Sequence, residues 1–452
     1  MTPLGWLGIV RLGLVQLSLG AVVVLTTSTL NRVMVVELAL PALLPGLLVV
    51  LHHLLQMLRP RMGYGSDVGG RRTPWIVGGM AVLAAGGVLA AVAVAWMGTD
   101  RTAGIALAVL AFALIGVGVS AAGTSLLVLL AKRVDAARRA PAATVVWVMM
   151  IVGFAVTAGV AGKMLDPYSP ARLLAVSGGV SLAAMAVTLL ALAGVEGRGP
   201  AAAPVPVAAR ERTDFRTALA QVWAEPAARR FTVFVFVSML AFSAQDLILE
   251  PFAGLVFGFT PGESTQLSGV QHGGVLLGMV VVALAGGSAG RRWLPPALQS
   301  LRLWTVGGCL VSGAALFGLV VGGVAGPGWP LRLNVFLLGA ANGAFSIAAI
   351  ASMMRMAGDG RAQREGTRMG LWGAAQAIAF GLGGLAGAGA SDVMRWLVGS
   401  PVSAYGAVFF AEAILFGVAA VLAWRVGQPA AVATAASPML AAAAAERRSP
   451  WT

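Results

Sequence analysis

Apolar runs long enough to cross a bilayer recur along almost the whole chain, separated by short segments rich in arginine, glycine and proline. A run of roughly 20 residues spans the hydrocarbon core as a helix, because a helix satisfies its own backbone polar groups where no water can. Twelve such runs are predicted. Six lie near 8–30, 41–60, 74–97, 103–131, 142–164 and 170–194, and six near 230–255, 265–288, 299–323, 332–356, 367–391 and 402–425. Composition excludes a soluble core: 58% of the 452 residues are hydrophobic and 11% charged, against about 25% charged in an ordinary soluble domain. The expected class is an all-α membrane protein of twelve transmembrane helices in two six-helix halves, 1–195 and 230–426.

Lys and Arg counted in alternate loops split 25 to 6. Arg59, Arg71, Arg72, Lys132, Arg133, Arg229, Arg230, Arg291, Arg292 and Arg425 fall on the rich side, and Arg32, Arg101, Lys163, Arg172, Arg332 and Arg395 make up the poor one. The positive-inside rule then puts both termini in the cytoplasm. The start of the chain has no basic n-region and no small-residue cleavage site, so it reads as an uncleaved first helix. Between the halves, 196–229 forms a cytoplasmic linker whose Pro/Ala-rich opening cannot build a core. Phe215, Leu219, Val222 and Trp223 then share one helical face after Thr213 or Asp214, which suits a helix on the membrane surface or one packed beneath the bundle. The Ala-rich tail 427–452 is expected to be disordered.

The net charge of +14 does not point to nucleic acid, because the basic residues sit in clusters between apolar runs and follow no single face. Cys309 is the only cysteine, which excludes a disulfide framework. There is no P-loop, G-x-S-x-G or H-E-x-x-H motif, so neither ATP-driven transport nor an enzyme is expected.

Polar residues inside apolar runs are costly, and each therefore asks for a reason. Gln245, Asp246 and Glu250 lie in the seventh run, His272 in the eighth and Glu412 in the twelfth. Asp246, His272 and Glu412 fall about 12–15 Å from the non-cytoplasmic end at helical rise. They can form a protonatable or headgroup-binding site, or simply hold helices together by hydrogen bonds. His52 and His53 lie near the middle of the second run. Pointing about 100° apart, they cannot chelate one metal from one face. Singly, either can be the axial ligand of a magnesium tetrapyrrole or can hydrogen-bond a neighbouring helix. Glycines crowd the fifth run (Gly153, Gly159, Gly162) and the eleventh (Gly370, Gly373, Gly381, Gly383, Gly384, Gly387), a mark of close or sliding helices.

Six helices, a cytoplasmic loop and six more is the plan of the major facilitator superfamily. The loop from Gly63 and Gly65 through Asp67 to Arg71 and Arg72 resembles that superfamily's signature, in which glycines make a tight turn and the acid pairs with arginine or caps a helix. More specific segments resemble the PucC/LhaA family. These are Arg11 to Leu14; the run from Thr29 to Leu38 with Asn31, Arg32 and Glu37; Gly65 to Asp67 with Arg71 to Ile76; Ser238 to Asp246 with Leu249 to Phe252; and Gly370 to Gln376. The first 75 residues look most like the LhaA branch. The resemblance implies an assembly factor for the bacterial core light-harvesting complex in the inner (intracytoplasmic) membrane. It implies antenna polypeptides, the reaction-centre complex, membrane lipids and bacteriochlorophyll synthase as partners, and bacteriochlorophyll and carotenoid as bound or carried pigments, with His52, His53 and His272 as candidate ligands. Relatives have carried the label of a bacteriochlorophyll synthase subunit, an enzymatic role the residues do not support. The alternative is a proton-coupled transporter of a tetrapyrrole or other small amphiphile, using Asp246, Glu412 and His272.

Overall fold

The computed structural model describes residues 4–59, 71–135, 138–196, 220, 222–286, 292, 294–358 and 365–426. Among these, eleven helices are long and apolar enough to cross a membrane. The first half contains α1 (Trp6–Glu37), α3 (Thr73–Met97), α4 (Arg101–Arg133), α5 (Arg139–Leu165) and α6 (Pro170–Leu192). The second contains α7 (Pro226–Phe257), α8 (Pro261–Gly286), α9 (Leu301–Ala325), α10 (Leu331–Gly358), α11 (Glu365–Val398) and α12 (Pro401–Val426). The remaining expected span is a shorter helix, α2: 13 α-helical residues, Leu43–Leu55, followed by a three-residue 3-10 turn to Leu58.

Local chemistry fixes where these helices start. Asp100, Ser169 and Ser300 accept hydrogen bonds from the third amide of α4, α6 and α9, the usual N-cap pattern. Pro170, Pro226, Pro261 and Pro401 occupy first-turn positions, where a missing N–H costs nothing. Thr260 and Glu263 close α8 reciprocally: the Thr260 hydroxyl accepts from the Glu263 amide at 3.1 Å and the Glu263 carboxylate from the Thr260 amide at 2.9 Å.

Buried apolar side chains fall into two main clusters, one centred on α1 and α3–α6, the other on α7, α9, α10 and α12. Leu247 and Ala388 of the second half belong to the first cluster. Lipid is as apolar as leucine, so association depends on close packing and small residues. Gly79, Gly86 and Gly118 meet backbone across the α3–α4 contact, and Gly274, Gly278, Gly339 and Gly343 do so between α8 and α10. The halves meet along two seams, α2 with α11 and α5 with α8.

The structure corrects the first loop. Asn31, Arg32 and Glu37 do not interrupt the first span, which continues to Glu37 through two π-helical stretches, Leu25–Thr29 and Val33–Glu37. The side chains of Asn31 and Arg32 bond to the other half, and Glu37 pairs with Arg32. The seventh span is broken, its parts being Pro226–Asp246 and Leu249–Phe257. Gly63, Gly65, Asp67, the tail and most of the linker helix lie outside the described residues; of that helix's apolar face, Val222 is buried and Trp223 exposed.

Candidate functional site

The break in α7 has a local cause. The carbonyl of Leu247 would normally accept from the amide four residues on, but that residue is Pro251, which has no N–H. Asn31 supplies the missing donor from the other half, its side-chain nitrogen 2.7 Å from the Leu247 oxygen. One turn away in α1, the Ser28 hydroxyl donates to the Glu250 carboxylate and lies 3.1 Å from the Ser268 hydroxyl. Thr29 pairs with Thr265 of α8 at 3.1 Å. Arg32 donates to Glu37 at 2.5 Å and to the Phe259 carbonyl, at the α7–α8 turn, at 2.6 Å. Ser28, Thr29, Asn31, Arg32, Glu250, Thr265 and Ser268 are all buried. Together they form a polar junction between the halves.

A second tie joins α2 to α11. The Asp392 carboxylate accepts from the amides of Ala42 and Leu43, at 3.0 and 2.7 Å, and from Arg395 at 2.5 Å. It caps the start of α2 from the opposite half. The hydrogen bonds described between α1–α2 and α7, α8 and α11 all lie toward one end of the bundle, the end bearing the α1–α2, α7–α8 and α11–α12 turns. We call this the distal end; α1 begins and α12 ends at the other.

Glycines let the seams close there. A Cβ on Gly162 would stand 2.6 Å from the Gly262 carbonyl oxygen, and one on Gly269 2.9 Å from the Gly159 amide nitrogen. On the other seam, Gly46 of α2 lies against Ala388 of α11. The eleventh-run glycines divide: Gly383, Gly384 and Gly387 pack on α7, whereas Gly373 and Gly381 meet nothing within 4 Å.

The other candidate residues sit elsewhere. Glu412 and Gln245 are buried in the second half, and neither carboxylate nor amide has a hydrogen-bond partner among the described residues. Asp246 is on α7, which packs against α12, the helix that carries Glu412. Of the five intramembrane polar candidates, only Glu250 enters the junction directly. His272 lies on the α5–α8 seam, its Nδ1 2.8 Å from the Ser268 carbonyl and its ring against Phe154 of α5, centroids 5.0 Å apart. His52 is buried and shares Gln56 with His53, which faces Phe380 of α11 at 6.3 Å. Arg71 and Arg72 precede α3, where the Glu196 carboxylate accepts from the amides of Arg72 and Thr73 at 2.7 and 2.8 Å. Burial works to raise that carboxyl, but these amides outweigh it and hold Glu196 below the usual range.

Sequence reasoning did not single out Ser28, Thr29, Thr265, Ser268 or Asp392. The unbroken run Thr26-Thr27-Ser28-Thr29 was the available signal: four hydroxyls in a span are more than back-bonding requires. Thr26 and Thr27 do bond back to their own helix; Ser28 and Thr29 do not.

Thr29, Asn31, Arg32 and Glu250 of the junction fall in segments that carried the resemblance. Residues 29–431 match the family described as PUCC protein. The chain belongs to this family. It is 56% identical over 420 residues, 93% of this chain and 95% of the relative, to the "Bacteriochlorophyll synthase 44.5 kDa chain" of Rhodobacter capsulatus. It is 31% identical over 426 residues, 90% of this chain and 88% of the relative, to "Protein PucC" of Cereibacter sphaeroides. Among solved structures, a mutant of the peptide transporter POT in complex with alafosfalin matches with a TM-score of 0.68 at 14% identity, covering 94% of this chain and 97% of that one. At that identity the likeness shows fold alone. This PucC-family protein is a multi-pass helical membrane protein with the fold of facilitator transporters.

Proposed function

We propose that this PucC-family protein is a membrane carrier of a tetrapyrrole or another small amphiphile, in a conformation closed at its distal end. One observation carries this reading: the ties between α1–α2 and the second half gather at the distal end, over glycine-lined seams. Two bundles joined in that way can rock about the seams and expose a midplane site to either side. The 25-to-6 split of basic residues supports cytoplasmic termini and a periplasmic distal end in the bacterial inner membrane, with α2 as the twelfth crossing. Asp246 and Glu412 supply carboxyl groups able to exchange protons with the cycle. The tetrapyrrole class is supported by the bacteriochlorophyll synthase name of the 56% identical relative.

The test uses purified protein in proteoliposomes, with zinc protoporphyrin as the probe and an imposed pH gradient. Uptake should follow the gradient and lose that dependence in Asp246→Asn. Uptake absent in the wild type, or equally gradient-driven in the variant, overturns the coupled-carrier reading.

A second reading, favoured by kinship with proteins named PucC, is an assembly factor for the core antenna. It would dock antenna polypeptides, the reaction-centre complex and bacteriochlorophyll synthase laterally, and hand over bacteriochlorophyll or carotenoid. The exposed Trp6, Trp147, Trp396 and Trp424 suit such lateral contacts. Deleting the gene should then lower assembled core antenna while pigment synthesis continues; normal antenna levels refute it.

A further inference from the structure

The three histidines differ in which ring nitrogen keeps a free lone pair. Gln56 faces both His52 Nε2, at 3.0 Å, and His53 Nδ1, at 3.3 Å, through its amide nitrogen. That orientation is fixed because Arg59 donates to the Gln56 oxygen, leaving the amide N–H groups for the imidazoles. His53 therefore accepts at Nδ1 and in its neutral form carries its proton on Nε2. His52 accepts at Nε2, and its Nδ1 is buried without a partner. His272 has the opposite arrangement. Its Nδ1 faces the Ser268 carbonyl, which can only accept, so Nδ1 bears the proton and Nε2 keeps its lone pair. No hydrogen bond to His272 Nε2 occurs among the described residues. This is the arrangement found in metal-binding imidazoles, where the far N–H is tied to a carbonyl and the near nitrogen is aimed outward.

Position strengthens the distinction. The α5–α8 seam closes at Gly162 against Gly262 and at Gly159 against Gly269. His272 and Phe154 come next, moving away from the distal end. The α2–α11 seam repeats this: Leu43 against Gly389, Gly46 against Ala388, then His53 against Phe380. Each half thus places a histidine of its second helix against a phenylalanine of the other half's fifth helix. Both rings stand on a seam between the halves, and of the two Nε2 atoms only that of His272 keeps its lone pair.

We propose that His272 Nε2 is the axial ligand for the metal of a planar metallated ring held between the halves, with the Phe154 edge fixing the imidazole. This rests on the tetrapyrrole reading above and names the residue that grips the cargo. The step is a ligand exchange: the Nε2 lone pair forms the bond to the metal, and the solvent molecule on that axial position leaves. No proton moves, because Nδ1–H stays on the Ser268 carbonyl.

The full-length protein in detergent is titrated with zinc protoporphyrin, whose Soret band shifts when an imidazole replaces solvent on the zinc. The wild type should show the shift. His272→Ala should bind roughly tenfold more weakly or worse, since imidazole is a favoured zinc ligand, and should lose the shift until free imidazole restores it. His272→Gln, with its amide free to keep the Ser268 contact, should also lack the shift and guards against a folding defect. His53→Ala should keep it, and metal-free protoporphyrin should bind wild type and His272→Gln alike. A wild-type shift that survives in His272→Gln, or disappears in His53→Ala, overturns the assignment while leaving the cargo class standing. Binding with no shift in the wild type also overturns it. No binding of either ring overturns the tetrapyrrole reading itself.

Discussion

Adding one methyl group at Gly162 tests whether the distal seam governs conformation. The new Cβ would stand 2.6 Å from the Gly262 carbonyl oxygen and 2.7 Å from Gln266 Cγ. Non-bonded heavy atoms settle near 3.5 Å, so α5 and α8 must part by about 0.9 Å. Overpacking of this kind costs about 1–3 kcal/mol. It is felt only while the seam is closed, so Gly162→Ala should move the equilibrium toward a distal-open state by roughly 5- to 150-fold. Gly159→Ala is the matched control: it lies on the same face of the same helix, gains the same helix propensity, and its Cβ meets nothing within 4 Å. Spin labels at Thr99→Cys and Gly328→Cys, exposed on the distal loops of opposite halves, report the opening by pulsed distance measurement in a Cys309→Ala background. Identical distance distributions in Gly162→Ala and Gly159→Ala would refute the reasoning, whatever the stability of either variant.

Asn31→Ala leaves the Leu247 carbonyl without a donor that Pro251 cannot provide, at a cost of about 1–3 kcal/mol, read as a lower melting temperature in detergent; an unchanged melt counts against the repair role. Glu196→Ala should cost about 1 kcal/mol at neutral pH, as the loss of a cap does. Because the folded-state value of Glu196 is lowered, its contribution is complete above the ordinary carboxylate range and fades as pH falls through that lowered value. Wild type and Glu196→Ala should therefore melt together in acid and apart at pH 7. Cys309 is fully buried, so a maleimide should label it only after denaturation; rapid labelling of the native protein would contradict the α9 packing.

The span positions were readable because hydropathy and basic clusters report directly on lipid contact, and most predicted ends fall within a few residues of the helices. The failure at Asn31 and Arg32 is instructive. A polar pair after an apolar run reads as a loop when its partners are unknown, and here the partners are backbone carbonyls more than 200 residues away. Asp392 was missed for the same reason: a carboxylate near a helix end looks solvated unless the amides of α2 are known to meet it. The histidines were visible as residues, yet their tautomers depend on Gln56, Arg59 and the Ser268 carbonyl, and those contacts exist only once the helices pack. The glycine runs were visible too, though nothing in the spacing separates Gly383, which is pressed against α7, from Gly381, which touches nothing.

The shortness of α2 reaches beyond the protein itself. From Leu43 to Leu58 it measures about 25 Å, against a hydrocarbon core of about 30 Å. Leu43, Leu47, Leu54 and Met57 are exposed along it. On the proposed reading of α2 as the twelfth crossing, the bilayer beside it would thin to match, at a cost of a fraction of a kcal/mol for each ångström of mismatch. That cost falls when a neighbour with an equally short span shares the thinned patch. The flank of α2 is therefore where elastic forces in the lipid, with no contact of any specific kind, would gather short-spanned helices around this protein.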